Sequence, residues 1–229
     1  MKVNLFSDAM ILESWHKNAA PWTAAVRLRQ IASRRLVTDQ AIVEAVMARA
    51  PRSVLDIGCG EGWLCRTLAA LGVETTGVDA VPELVAEAQR AGPGTFRVHS
   101  YESIAAGDLP DPVEAAVCNF SLLGKESVEG IVQAAPRMML PGGRFVIQTL
   151  HPVTASTAEP YHDGWRRGSW VGFDAAFTEP APWYFRTMAS WLQLLRTSRL
   201  QLLDMREPIH PETRQAISVI FILAAGDKA

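Results

Sequence analysis

Three glycines at alternate positions mark the stretch Val54-Leu55-Asp56-Ile57-Gly58-Cys59-Gly60-Glu61-Gly62-Trp63. They follow an apolar run of strand type and open a helical pattern with apolar residues at 63, 64, 68 and 71. Glycine supplies the positive φ of a tight turn and lets a ligand approach the backbone closely. Asp79 ends the next short strand, where a carboxylate accepts the hydroxyls of a ribose in nucleotide-binding α/β sheets. The loop suits a dinucleotide poorly, because Trp63 stands where a third glycine would let the helix pack against a pyrophosphate. Asp56, at the start of the loop, would repel a pyrophosphate and attract a cationic amino group. The implied ligand is adenosine-like at one end and amino-acid-like at the other, which describes S-adenosylmethionine.

These residues need a scaffold, and the pattern around them supplies one. Between Arg52 and Leu150, runs of strand type at 54–57, 74–79, 95–99, 113–119 and 144–149 alternate with helical patterns at 63–71, 83–90 and 127–140. Pro82 suits the first turn of the second helix, Pro136 marks a kink or boundary in the third, and Pro141-Gly142-Gly143 reads as a turn. Such alternation predicts a Rossmann-like, mostly parallel, seven-stranded α/β sheet with helices on both faces. Residues 1–50 read as an N-terminal helical cap, with candidate helices at 24–32 and 39–48, and 51–229 as the main domain. After Leu150 comes an irregular segment, 151–185, then a helix at 187–197 and strands at 200–206 and 216–224.

Composition narrows the partners. The net charge is −2, 48% of residues are hydrophobic and 20% are charged. That balance speaks against a basic nucleic-acid-binding surface and against a disordered chain. The first fifty residues are somewhat basic, and a solvated helical face accounts for that. The start of the chain lacks the pattern of an export signal, and the longest apolar stretch, 216–225, is about half what a bilayer span requires. A cytoplasmic protein without membrane contact is expected. Cys59, Cys65 and Cys118 have no metal-ligand spacing, so reduced, buried thiols and no metal are expected. The aromatic residues crowd into 151–185, which holds Tyr161, Trp165, Trp170, Phe173, Phe177, Trp183, Tyr184 and Phe185. A long irregular segment placed after the fifth strand is expected to be a substrate lid. A homodimer interface or a small satellite core is the alternative.

The chain resembles the class I S-adenosylmethionine-dependent methyltransferases. Asp56-Ile57-Gly58-Cys59-Gly60-Glu61-Gly62 is similar to their first motif, Asp79 to their ribose-binding acid, and Leu140-Pro141-Gly142-Gly143-Arg144-Phe145 to the turn before their fifth strand. The resemblance implies that Gly58, Gly60 and Gly62 wrap the cofactor, that Asp56 lies near its methionine end, and that Asp79 and Ala80 meet the ribose. Many members place an Asp after the third strand to meet the adenine. Here the segment is Val98-His99-Ser100-Tyr101-Glu102, so Ser100 or Glu102 would serve the adenine and Tyr101 would stack on it. Asn119-Phe120-Ser121 would line the methyl-transfer site. Plain core packing is the alternative for Phe120. Arg34 or Arg35 would reach the cofactor carboxylate from the cap.

Methyl transfer from a sulfonium needs alignment, desolvation and, for some acceptors, a base. His151 directly follows the fifth strand, and His210 lies between the last two strands. Both precede a proline and fit a turn equally well. Tyr184 and Arg186 would bind an acidic or carbonyl-bearing group. His151, His210 and Tyr184 are therefore the catalytic candidates. The strand-four segment Cys118-Asn119-Phe120-Ser121 lacks the N/D-P-P-Y/F sequence of enzymes that methylate planar amino nitrogens. The expected partner is a small molecule, apolar or aromatic, with nucleic acid disfavoured. The competing readings are an RNA- or protein-directed methyltransferase, a non-catalytic cofactor-binding protein, and a nicotinamide-dependent oxidoreductase.

Overall fold

Alternation along the central strands sorts their side chains into two cores. The computed structural model describes residues 6–108, 111–156 and 159–226. Its strands are β1 (Ser53–Ile57), β2 (Glu74–Asp79), β3 (Thr95–Val98), β4 (Val113–Asn119), β5 (Met139–Leu150), β6 (Gly164–Arg166), β7 (Trp183–Phe185), β8 (Leu200–Arg206) and β9 (Ser218–Ala225). Its helices are α1 (Asp8–Arg27), α2 (Asp39–Met47), α3 (Trp63–Ala70), α4 (Pro82–Ala91), α5 (Tyr101–Ala106), α6 (Glu126–Ala134), α7 (Pro152–Ala155) and α8 (Met188–Thr197). Seven strands form one sheet in the order β3-β2-β1-β4-β5-β9-β8. The first five are parallel, and β9 runs antiparallel to both of its neighbours. The Rossmann-like sheet expected from the sequence is present.

On one face, Val54, Ala115, Val117, Val146, Ile220 and Ile222 pack with Ile42, Ala45 and Val46 of α2 and with Leu64 and Leu68 of α3. On the other, Leu55, Ala116, Cys118, Phe145, Ile147, Val219 and Phe221 pack with α5, α6 and α8 through Ile104, Val128, Ile131, Trp191 and Leu195. Neighbouring residues of one strand thus serve opposite cores, so the strands are apolar on both sides. The three cysteines are free and buried. Pro141-Gly142-Gly143, expected as a turn after a helix reaching 140, instead lies inside β5 as a bulge, where the β4–β5 register jumps from Val113↔Met139 to Ala115↔Arg144.

Two regions differ from the sequence reading. The cap is one long helix, α1, that begins at Asp8 and passes through Pro21 to Arg27, rather than a helix at 24–32. Meanwhile α2 belongs to the layer beneath the sheet. The 151–185 segment is not structureless: it contains α7 and an antiparallel ribbon of β6 with β7. Buried Arg166 knits that ribbon, with its guanidinium 3.4 Å from the Phe185 ring centre and donating to the carbonyls of Ala155 and Pro160. Among the described residues, no helix is long and apolar enough to cross a membrane.

α1 stands off the sheet and is clasped to this segment at its middle. The fully buried Asn18 amide donates to the Thr178 carbonyl at 2.7 Å and accepts the Thr178 N–H at 2.9 Å, imitating a backbone pair. The Ser14 hydroxyl donates to the Glu179 carbonyl at 2.6 Å, and Lys17 pairs with the Glu179 carboxylate at 2.6 Å. Replacing Asn18 by alanine leaves the Thr178 N–H without its partner and its carbonyl with the Trp170 indole N–H alone, an expected cost of about 1–3 kcal/mol. Hydrogen exchange at the Thr178 amide should accelerate in Asn18→Ala while the amides of β4 and β5 stay protected.

Candidate active site

A cavity of about 430 Å³ lies between the carboxyl ends of the parallel strands and the underside of α1. This is where open α/β sheets bind ligands. Its floor is the loop after β1. At Gly58 (φ 76°) the backbone passes so close to the loop after β4 that a Cβ would fall 2.3 Å from that of Ser121. Gly60 (φ 57°) faces the cavity, and a Cβ there would have only the Trp22 indole nitrogen within 4 Å, at 3.7 Å. The Asp79 carboxylate braces the loop by accepting the Gly60 N–H at 2.8 Å and the Val81 N–H at 2.9 Å.

Glu61 shows how the loop is tied to its surroundings. It is 1% exposed, accepts Arg66 of α3 at 2.6 Å and Arg27 of α1 at 3.1 Å, and so links the floor to the roof. Arg27 continues to Glu87 of α4 at 3.0 Å. The far wall is the loop after β4. There the Tyr101 hydroxyl donates to the Ser121 carbonyl, Ser121 Oγ donates to the Ile57 carbonyl, and Phe120 adopts a φ of 52°. A non-glycine residue in that region is strained by about 1–3 kcal/mol, and such strain gathers at functional sites.

One stripe of α1 forms the roof: Asp8, Ile11, Leu12, Trp15 and Trp22 all line the cavity, at helical spacing. Trp170, Phe173, Ala181 and Trp183 extend it from the 151–185 segment. Edge-to-face contacts join Trp15 to Trp22 (5.1 Å) and to Trp170 (6.0 Å), and Phe173 stacks on Trp22 at 6.5 Å. Among the described lining residues Arg34 is the one cation. It sits on a π-helical turn, Arg34–Thr38, bonds Asp39 at 2.9 Å, and places its guanidinium 4.6 Å from the Trp63 ring centre. Such turns concentrate at functional sites. Arg34 Nη2, Thr38 Oγ1 and Asn119 Oδ1 are buried without a partner among the described residues, and all three residues line the cavity. Buried polar atoms left open beside a cavity are where a ligand's polar groups belong.

The residues singled out in the sequence divide into two sets. Gly58, Gly60, Asp79, Ala80, Tyr101, Asn119 and Phe120 line the cavity, as does Glu102. Asp56, Gly62 and Ser100 lie behind it. Asp56 is 2% exposed beneath the loop, with the Cys65 thiol 3.8 Å from its carboxylate. Phe96 and Ala88 fill the space beside Gly62, and Ser100 caps α5 by accepting the Ser103 N–H. None of the three catalytic candidates lines the cavity. His151 is buried and bonded to Glu207 at 2.7 Å. His210 accepts the backbone N–H groups of Glu212 and Thr213 in a turn. The Tyr184 N–H donates to the Leu123 carbonyl at 2.7 Å, and its ring packs against Trp165 and Arg186. Arg186 is itself spent on the Gly124 and Lys125 carbonyls. Asp8, Trp15, Trp22 and Glu61 were missed as site residues, although the 8, 11, 12, 15, 22 spacing carries the roof stripe in the sequence.

Comparison with known proteins agrees with this fold. A family model described as a methyltransferase domain matches residues 29–203. The ubiquinone biosynthesis O-methyltransferase of Xanthomonas oryzae is 34% identical over 121 residues, which are 51% of this chain and 50% of that protein. The chain thus spans about half the length of such relatives. The S-adenosylmethionine-dependent methyltransferase structure from Mesorhizobium loti superposes with a TM-score of 0.61 at 22% identity, covering 78% of this chain and 95% of that one. One from Clostridium acetobutylicum gives 0.66 at 14% identity, covering 93% and 99%. At those identities the likeness is one of fold.

The buried carboxylate beneath the loop sets a pH dependence. Burial, and then the nearby charge of Asp79, lift Asp56 from 3.8 to about 7, against smaller opposing effects of Cys65 and Arg34. The folded chain therefore holds this proton through a range in which the unfolded chain has lost it. Stability should fall as pH rises from about 4 to about 7 and level off above that. Thermal melts near pH 5 and near pH 8 are expected to differ more in the wild type than in Asp56→Asn. Equal differences in the two proteins would remove Asp56 as the cause.

Proposed function

This chain belongs to the methyltransferase-domain family, and from that premise we propose that it moves a methyl group from S-adenosylmethionine to a small, apolar or aromatic acceptor. The observation that carries the reading is the cavity itself. Its floor offers the glycine loop and the Asp79 carboxylate, its side offers the open Nη2 of Arg34, and its roof is aromatic carbon. An open basic trough for RNA or protein is not what these walls resemble. The O-methyltransferases of ubiquinone biosynthesis, matched over about half their length, support a small acceptor.

The residues present fit the cofactor. Asp79 and Ala80, at the end of β2, would take the ribose, with Tyr101 and Glu102 toward the adenine. Gly58 and Gly60 would leave room for the chain between the two ends. Arg34 would meet the carboxylate of the methionine end, with Thr38 Oγ1 and Asn119 Oδ1 as further open polar atoms. Asp56, beneath the loop, would contribute negative charge toward the amino group once it gives up the proton that burial holds on it. S-adenosylmethionine, when bound, supplies a methyl group already activated on a sulfonium. The protein's part is to align, to hold the acceptor near Phe120 and to keep water out under the α1 roof. With no histidine among the cavity's described lining residues, the acceptor is expected to need little help in losing a proton.

Calorimetry with S-adenosylhomocysteine tests the assignment. Binding in the micromolar range is expected. Asp79→Ala and Arg34→Ala should each weaken it by about tenfold or more, since each removes a charged hydrogen-bonding group. Unchanged affinity in Asp79→Ala would discard the ribose assignment, and unchanged affinity in Arg34→Ala would discard the carboxylate assignment.

A further inference from the structure

We infer that Asp8 is the acceptor-recognition residue of this cavity, and that the acceptor carries a protonated amine. The inference rests on the methyl-transfer reading and deepens it. The topology divides the lining in two. The ends of β1 and β2 hold the glycine loop and Asp79. Beyond β4, over β5 and β9, the lining includes Leu123, Ser127, Thr149, Leu150, Trp183 and Ile217. The ionisable lining side chains Arg34, Cys59, Glu61, Asp79, Tyr101 and Glu102 come from the π-helical turn and from the segments that follow β1, β2 and β3. On the β4 side the one ionisable group among the described lining residues is Asp8.

The placement of Asp8 follows from how α1 crosses the cavity. Trp22 reaches Gly60 at one end, and Asp8 stands about 21 Å away along the helix axis at the other. There its carboxylate is fixed by two backbone donors, Lys125 N–H at 2.8 Å and Ser127 N–H at 2.7 Å, one to each oxygen. Each oxygen keeps a further acceptor site. Arg186 lies behind this loop, committed to the Gly124 and Lys125 carbonyls; its charge acts on Asp8 at longer range, and no described cation comes within ion-pairing distance of Asp8. The cavity therefore contains an oriented carboxylate without a cation, among walls of carbon and indole.

A neutral acceptor would leave the remaining acceptor sites of that half-buried carboxylate to water, and an anion would be repelled. A protonated amine would satisfy the open acceptor sites by charge-assisted hydrogen bonds, and indole-rich walls, with Trp15, Trp170 and Trp183 among the lining residues, tolerate a cation better than an anion. The amine is an anchor for an apolar or aromatic body. It takes no part in bond making.

The test is calorimetry of the full chain with 2-phenylethylamine, 2-phenylethanol and 3-phenylpropionate, each with and without S-adenosylhomocysteine. The amine should bind about tenfold more tightly than the alcohol, and the acid should be weakest. In Asp8→Asn the amine and the alcohol should come within about twofold of each other. Asn18→Ala loosens the roof elsewhere, so it should weaken both probes while keeping their ratio. An amine that binds no better than the alcohol, or a preference that survives Asp8→Asn, overturns the inference. So does a preference lost equally in Asn18→Ala, which would assign the effect to roof closure. Failure of S-adenosylhomocysteine to bind would instead remove the methyl-transfer reading, while the ranking of probes on the ligand-free chain still judges Asp8.

Discussion

The cavity exists because α1 is held off the sheet at three places. Its first residue, Asp8, bonds the start of α6; its middle, through Asn18 and Ser14, bonds the 151–185 segment; its last, Arg27, bonds Glu61 and Glu87. An isolated helix of this length with a proline inside would be marginal in water. These long-range contacts supply what local propensity does not. Without the roof, the carboxyl ends of the strands would form an open cleft, and every polar group in it would compete with water. All three anchor points touch chain segments that also border the ligand space: the loop after β4, the 151–185 segment and the glycine loop. Roof and floor are therefore set by the same contacts.

Charge is distributed unevenly around that space. Glu61, Asp56 and Asp79 are carboxylates in or near one loop, but Glu61 is neutralised by two arginines. Asp56 and Asp79 lack an ion-pair partner among the described residues, and burial raises both toward the protonated form. Asp79 resists this by accepting backbone N–H groups from Gly60 and Val81. The chain thus keeps two carboxyl groups at its binding loop whose ionisation burial opposes. A ligand bearing positive charge favours their ionised form, whereas a pyrophosphate would oppose it further. The same electrostatic logic separates this site from a dinucleotide site, beyond the substitution of Trp63 for a glycine.

The sheet was legible in the sequence because its central strands are short, two-sided apolar runs bounded by turn residues. The glycine loop and Asp79 were legible because their chemistry is local. What lies across the fold was not. Pro21 argues locally against a continuous helix, so α1 was placed too late and too short, although its 8, 11, 12, 15, 22 stripe is helical. Asn18 reads as an ordinary polar helix residue until Thr178, 160 positions away, is seen to pair with it. Glu61 looked like a spacer between glycines, and only its two arginine partners give it meaning. The ribbon of β6 and β7 is three residues to a strand, too short for periodicity to register.

The histidines repay the same comparison. Position at the end of a strand made His151 a candidate base, yet side-chain direction decides, and His151 turns into the protein to meet Glu207. His210 is used up in capping a turn. With both outside the cavity its described lining holds no imidazole, and alignment and dehydration are what the architecture is suited to. Strand ends fix one partner, a clasped aromatic roof fixes the other, and the strained Phe120 stands at the loop between them. On the proposed reading, a site built in this way would draw its rate from geometry rather than from a histidine base. Its sensitivity should accordingly lie in the contacts that hold α1 and the β4 loop in register.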